Sequence, residues 1–362
     1  MPAPVPLSSG VGISYRLAVN PEKLRIRNYE VTPEEYMNMQ FKSGRVWAGI
    51  LGITLMCFST VTGYAEEGKL NNKPFSYFGA GNEFIEFEEH VSVGGQNLKL
   101  EANFSNPVQR SGGYIPLFKE HGLYIVTSAT LSSNSAGESW DYPGIGTIQT
   151  DDSKISWNEL NVAVARHLSP GHHLTFGFDY YTMRFTRFNF HSAPGTDAFN
   201  TLIGQNNKDA NGTPNPYTTY TNWVNSGKNG ADFPGLRPEA NLSTVIEDFS
   251  CLTTMLGYRY DTFFSNPNTT WRFAGGVRVG LPLYYNIENS QLPNTEFTSY
   301  LDSGYDFGAD GEVAWNFSKD FALVGRVDYN HKHRNQIRSG NSLIPENRVI
   351  SIQSTLALNW AF

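Results

Sequence analysis

The end of the chain alternates cleanly. In Ser351–Phe362 one row reads Ile352, Ser354, Leu356, Leu358, Trp360, Phe362 and the other reads Ser351, Gln353, Thr355, Ala357, Asn359, Ala361. A period of two puts successive side chains on opposite faces of a β-strand, here one apolar and one small or polar. Four earlier segments repeat the pattern. Trp271, Phe273, Gly275, Val277, Val279, Leu281, Leu283 and Tyr285 stand against Arg272, Arg278, Asn286 and Glu288. Tyr305, Phe307, Ala309, Val313, Trp315 and Phe317 stand against Asp306, Asp310, Glu312 and Asn316. Phe321, Leu323, Val327 and Tyr329 alternate with Arg326, Asp328 and Asn330, and Leu252, Leu256, Tyr258 and Tyr260 with Arg259 and Asp261.

A soluble sandwich and a membrane barrel both alternate, with opposite faces buried. Two features favour the barrel: runs longer than soluble strands usually reach, and Trp and Tyr gathered near strand ends, where a lipid interface places them. Connections also alternate between short (Lys119–Gly122, Ser169–His172, Ser265–Asn268, Ser318–Asp320) and long (134–153, 191–243, 289–301, 335–347). The expected fold is all-β, a transmembrane antiparallel β-barrel of about ten strands, with eight to twelve as the range. The strands fall near 76–92, 97–118, 123–133, 154–168, 173–190, 244–263, 270–288, 302–317, 321–334 and 348–362. Pro107 and Gly112-Gly113 mark the second as a place where the count can slip. An even number puts both termini on the periplasmic side.

The start of the chain fits export. Lys42 and Arg45 precede the apolar run Val46–Val61, and Thr62-Gly63-Tyr64-Ala65 then leads to Glu66. A basic region, an apolar core and a small-x-small site predict a signal peptide over 37–65, cut between Ala65 and Glu66, with the barrel over 66–362. Residues 1–36 read as an extension upstream of the true start, at Met37 or Met39, or as disordered. At the other end, Leu358, Trp360 and the terminal Phe362 resemble the signal read by the barrel assembly machinery.

Composition agrees with this picture. Charged residues make up 17%, aromatics 14%, and there are 34 Gly. A mean hydropathy of -0.37 is too polar for a helical membrane protein and compatible with a barrel that shows lipid one face of each strand. The net charge of -7, with no Lys/Arg run, argues against nucleic acid as a partner. Cys57 falls in the predicted signal, leaving Cys251 without an internal partner. No cofactor is expected: His172-His173 lacks a third ligand, and Asp151-Asp152 reads as a solvated loop pair.

The polar rows supply Arg259, Asp261, Arg272, Arg278, Asp306, Asp310, Glu312, Arg326 and Asp328 to the inside of the barrel. A ten-strand lumen is narrow enough for side chains to fill, and buried charges must be paired or wet. The set therefore reads as a structural charge network plugging the lumen, with a water-filled conducting path as the alternative.

The layout from residue 76 onward resembles the omptins, ten-strand outer membrane proteases. The first hairpin closes on Gly94-Gly95, and the second outer loop runs Trp140-Asp141, Pro143-Gly144, Thr150-Asp151-Asp152-Ser153, in the order of an omptin loop. The resemblance implies two Asp just before the Trp and an Asp-x-His in the fourth outer loop. Here Gly137 and Ser139 flank Glu138 before Trp140, and Asn289–Asn294 contains no His. A base for water activation is thus missing from the expected places. Nor does a His-x-Ser dyad of the outer membrane phospholipase type occur at His331 or His333, which precede Lys332 and Arg334. By alternation those two His continue the outward row Val327, Tyr329, toward lipopolysaccharide headgroups. Glu138, Asp141, His331 and His333 remain the polar candidates at the outer rim.

The expected function is a non-enzymatic structural or binding barrel with exposed loops, or a narrow channel. The alternative is an omptin-like protease or other outer membrane hydrolase. Partners are outer membrane lipid and lipopolysaccharide, and an extracellular ligand at the Asn-, Gly- and Tyr-rich loop 191–243, since a loop of that length is ordinarily functional or disordered.

Overall fold

The computed structural model describes residues 73–362 apart from 94–95, 119, 207–218, 228, 230–235, 237–243, 267, 302, 341 and 362. The signal segment with its Ala65/Glu66 junction, the Gly94-Gly95 closure, about half of loop 191–243 and Phe362 lie outside the described residues.

Fourteen strands are described: β1 (Phe75–Val93), β2 (Gln96–Phe118), β3 (His121–Thr130), β4 (Ser135–Tyr142), β5 (Gly146–Ser169), β6 (His172–Ser192), β7 (Val245–Asp261), β8 (Trp271–Asn289), β9 (Phe297–Tyr300), β10 (Gly304–Asn316), β11 (Phe321–Arg334), β12 (Ile337–Ser339), β13 (Ser342–Ile344) and β14 (Glu346–Ala361). Two helices, α1 (Thr196–Asn206) and α2 (Tyr220–Asn225), lie between β6 and β7. β1 pairs antiparallel with both β2 and β14, so the sheet closes on itself. β3 and β4 follow one another along a single stave, β9 sits off the ring beside β8, and β12–β13 form a separate hairpin, leaving a ring of ten. Phe75 is opposite Ala361, and the short connections share their end of the barrel, here the turn end. The β5–β6 turn is Pro170-Gly171, with Gly171 at φ 85°, a left-handed conformation that glycine adopts without a Cβ penalty.

One expectation needs correction. The stretch 134–153 is largely sheet: β4 and the start of β5 form a hairpin that raises the wall. The segment 97–118 is the single strand expected, unbroken at Pro107 and its glycines.

The exposed wall carries an apolar belt that includes Phe78, Phe84, Phe178, Leu256, Val277, Val279, Phe307, Val313, Leu323, Val327, Ile352, Leu356 and Leu358. On β10 it runs from Tyr305 to Trp315. Ten residue steps at ~3.4 Å, tilted ~40°, give about 25 Å, the height of the lipid band of outer membrane barrels. Tyr258, Tyr260, Trp271, Trp315 and Phe321 border it toward the turn end, and Tyr180, Tyr300 and Tyr305 toward the loop end.

Past the belt the walls continue and the pattern inverts. In β1 the outward residues become Glu86, Glu88 and His90 while Ile85, Phe87 and Val91 are buried inside. β6 extends twelve residues beyond Tyr180, a rise of about 30 Å by the same geometry. Water on the outside of this upper wall moves the apolar face inward. β8 makes the change with a bulge: its pairing to β7 slips between Leu252 and Thr253, leaving Leu283 as the extra residue. Tyr285 and Ile287, 1% and 0% exposed, therefore point inward, correcting the expectation that the Trp271 row keeps one face through Tyr285.

Candidate functional site

The lumen is packed in layers. At the turn end Phe75, Tyr114, Tyr124, Ala165 and Phe264 form a buried cluster. Arg272 lies over Phe75 and Phe263, 4.7 and 4.9 Å from the ring centroids, and makes two bonds to Asp261 at 2.8 and 2.6 Å. His167 and His173, cross-strand partners on β5 and β6, pack here with ring centroids 4.3 Å apart. Tyr114 Oη and His167 Nε2 are hydrogen-bonded at 2.7 Å. The sequence shows His172-His173 as a turn pair; only the hairpin register reveals His167 as the true neighbour.

The next layer is ionic. Arg259 pairs with Asp310 at 2.5 Å and Glu312 at 3.3 Å, and Arg326 with Asp328 at 2.8 Å, Glu312 at 3.4 Å and Asp310 at 3.5 Å. Arg278 donates to Asn330. Arg259, Arg278, Asp310, Glu312 and Arg326 line a cavity of about 100 Å³. Arg110 on β2 reaches Asp328 at 3.3 Å and Gln353 at 2.7 Å, and Gln353 donates to Ser128 on β3 at 2.8 Å. Asp306 belongs to a neighbouring group around Lys332, whose ammonium lies 2.7 Å from Asp179, 3.5 Å from Asp306 and 3.8 Å from Glu159. Thus Arg259, Asp261, Arg272, Arg278, Asp306, Asp310, Glu312, Arg326 and Asp328 all lie inside, in three linked groups. Arg110, Glu159, Asp179 and Lys332 were not foreseen. Lys332 sits inward by the same alternation that sends His331 and His333 outward, and that signal was available in the sequence.

Above this the filling is apolar. Ile85, Phe87, Phe104, Ile155, Trp157, Tyr181, Met183, Phe185, Phe249, Tyr285, Ile287 and Phe297 belong to one buried cluster. Phe87 and Phe185 stack at 4.2 Å, Trp157 and Tyr181 at 4.9 Å, and Tyr181 donates to Tyr285 Oη at 3.0 Å. A second ionic group follows. Arg187 bonds Glu138 through Nε at 2.7 Å and Nη2 at 3.0 Å, bonds Glu89 at 2.6 Å, and lies 3.6 Å from Glu247. Last, Leu98, Leu100, Trp140, Tyr142, Ile148, Phe190, Leu236 and Phe199 of α1 pack into a cap.

The rim candidates do not meet. Glu138 is inside the barrel and 2% exposed, so it is not an outer-loop group. Asp141 lies on the outer side of β4, accepting from Ser139 at 3.0 Å and Thr147 at 2.6 Å. His331 and His333 stand on the outer wall of β11 beside Tyr305, at centroid distances of 5.7 and 5.0 Å. β14, β1 and β2 separate them from β4. Asp151, read as solvated, is 4% exposed and accepts from Trp140 Nε1 at 2.8 Å; only Asp152 faces outward. On the outer wall Glu101, Asn103, Ser139, Thr150, Asn189 and His191 line an open concavity of about 580 Å³. Beside it Glu88 receives Arg348 at 2.5 Å and His90 at 2.5 Å. Against a partial desolvation that raises it, the His90 hydrogen bond and the Arg348 charge hold the Glu88 carboxyl below its ordinary value.

No protein-family model matches the sequence, and no curated protein matches it. Solved structures do. The chain is similar to the outer membrane protease OmpT from Escherichia coli, with TM-score 0.53 and 10% identity over 83% of this chain and 99% of that one. It is more loosely similar to the transport unit of the autotransporter AIDA-I from Escherichia coli (TM-score 0.39, 9% identity, 85% and 97% covered). It is also loosely similar to the translocator domain of the autotransporter NalP from Neisseria meningitidis (TM-score 0.33, 10% identity, 89% and 98% covered). At 10% identity the likeness to the protease is one of architecture: the chain has the fold of an outer membrane β-barrel.

Proposed function

We propose that this protein is an integral outer membrane barrel that does not conduct and is not an enzyme, and that it works through its outer wall and loops as a structural or binding platform. The turn end stands in the periplasm and the loop end outside the cell. Export follows cleavage between Ala65 and Glu66, and insertion follows reading of the last strand, with Leu358, Trp360 and Phe362, by the assembly machinery. His331 and His333 contact lipopolysaccharide headgroups at the upper edge of the belt, and loop 191–243 carries an extracellular ligand.

The observation that carries this reading is the filled lumen. Aromatic, ionic, apolar and again ionic layers succeed one another between Phe75 and the α1 cap, around a cavity of about 100 Å³. An ion would have to cross the dry layer of Phe87, Phe185 and Tyr285. Catalysis fares no better, because Glu138 points into the barrel while Asp141 and His331 stand on the outer wall with β14, β1 and β2 between them, rather than around one bond.

Purified barrel in planar bilayers tests the first half: no discrete steps are expected, and steady unitary conductance would overturn the sealed reading. Incubating folded protein with basic peptides and with labelled phospholipid tests the second. Turnover abolished by Glu138→Gln, Asp141→Asn or His331→Ala would restore the hydrolase alternative.

A further inference from the structure

Four carboxylates and two guanidinium groups share the upper ionic layer. Glu89, Glu138, Asp151, Glu247, Arg187 and Arg334 are each at most 4% exposed. Fully ionised, the group would hold two uncompensated negative charges away from water, a state that buried carboxylates avoid by taking up protons.

The geometry says where a proton sits. Glu138 and Asp151 are direct cross-strand partners on β4 and β5, both pointing inward. Glu138 holds Arg187 with both oxygens, while Asp151 takes the Trp140 indole on Oδ1 and has no donor for Oδ2 among the described residues. Two facing carboxyls in a dry site are stable only as an acid and its conjugate base.

The consequence falls on β4. It is separated from β3 by a break at 131–134, and on its β2 side only four residue pairs hold it, Lys99–Ala102 against Glu138–Asp141. Its register with β5 slips at Trp140/Asp141.

We propose that Asp151 carries a proton on the oxygen facing Glu138, which latches β4 to Arg187 at the mouth of the barrel, and that losing it in alkaline solution loosens β4 and the turn it shares with β5. Arg187 from β6 and Glu89 from β1 face the pair, and behind them Glu247 from β7 lies 3.6 Å from Arg187 and Arg334 from β11 lies 3.9 Å from Glu89. Burial first, then the Glu138 charge, pushes the Asp151 carboxyl up to about 9. Burial likewise raises Glu89 to about 7, opposed by Arg187 and reinforced by Glu247.

Hydrogen exchange of the 135–146 amides in the full-length folded protein, corrected for intrinsic base catalysis, tests this. From about pH 6 to about pH 10 the exchange is expected to rise at least about tenfold while the β10–β11 hairpin stays protected. Asp151→Asn keeps the indole bond and donates to Glu138, yet has no proton to lose, so its β4 should stay protected at both values. An unchanged wild type, or a variant that keeps the rise, overturns the proposal. Should that variant not fold, infrared titration of the wild type decides. A protonated carboxyl stretch present at about pH 7 and bleached by about pH 10 is expected, and its absence at neutral pH overturns the latch.

Discussion

Lys332 and Asp179 meet at 2.7 Å across the lumen, although their strands, β11 and β6, stand four places apart in a ring of ten. A barrel whose opposite walls touch through side chains is held by its filling as well as by its backbone ladder. The Lys332 ammonium also lies 4.3 Å from the Tyr181 ring, so it ties the ionic layer to the apolar one.

Removing that cation should therefore be costly. Lys332→Met leaves Asp179, Asp306 and Glu159 facing one another without the cation that bridges them. The expected loss is about 3–5 kcal/mol, as for other buried pairs broken on one side. Reversible urea unfolding in lipid vesicles measures it, and a loss under about 1 kcal/mol would mean the lumen is wet at this level.

The apolar layer predicts a comparable effect from a different cause. Phe185 stacks on Phe87, packs edge-on against Phe104 and lies under the Arg187 guanidinium at 4.4 Å. Phe185→Ala opens a hole that surrounding strands cannot close, at about 3–5 kcal/mol. The same measurement reads it. Conductance appearing in this variant alone would locate the seal.

Belt and upper wall can be told apart by charge. Val277→Arg places a cation on the exposed apolar face and should cost about 2–4 kcal/mol in a bilayer. Asn103→Arg, equally outward but above the belt, should fall within about 0.5 kcal/mol of wild type. Equal effects at both sites would contradict the assigned lipid boundary.

Stability should decline with rising pH in the upper half. Asp151 and Glu89 have folded values of about 9 and about 7 against ordinary values of 3.8 and 4.5. A raised carboxyl is fully favourable below its unfolded value, and its contribution is lost as pH climbs through the folded one, so the window runs from about pH 4 to about pH 9. Glu88, held low, has the opposite sign: its contribution is present above 4.5 and fades on acidification. Protease resistance of the loop end across this range checks the net slope, which is expected to be negative on the alkaline side.

Much of the lower barrel is legible in the sequence because lipid and lumen impose one phase on each strand. In β14 Ile352, Ser354, Leu356 and Leu358 face out, and Ser351, Gln353, Thr355 and Ala357 face in, as alternation alone assigns them. The upper barrel is not legible that way. There water lies outside and the packed side chains inside, so the apolar phase reverses within a strand and a reader holding one phase misplaces Tyr285 and Ile287. The β4–β5 hairpin, with Gly137, Ser139, Pro143 and Gly144, has the composition of a loop and was expected as one. Glu138 and Asp151 acquire their meaning only from Arg187, whose position opposite them no spacing rule supplies.

The extra residue in β8 carries a final implication. Upstream of Leu283 the strand is written for lipid; downstream it is written for a protein interior. Deleting that one position would leave every side-chain type beyond it intact, yet turn Tyr285 and Ile287 to water and bring Asn286 and Glu288 against Phe249. Residue count, more than residue identity, is what lets a single continuous strand belong to two different solvents.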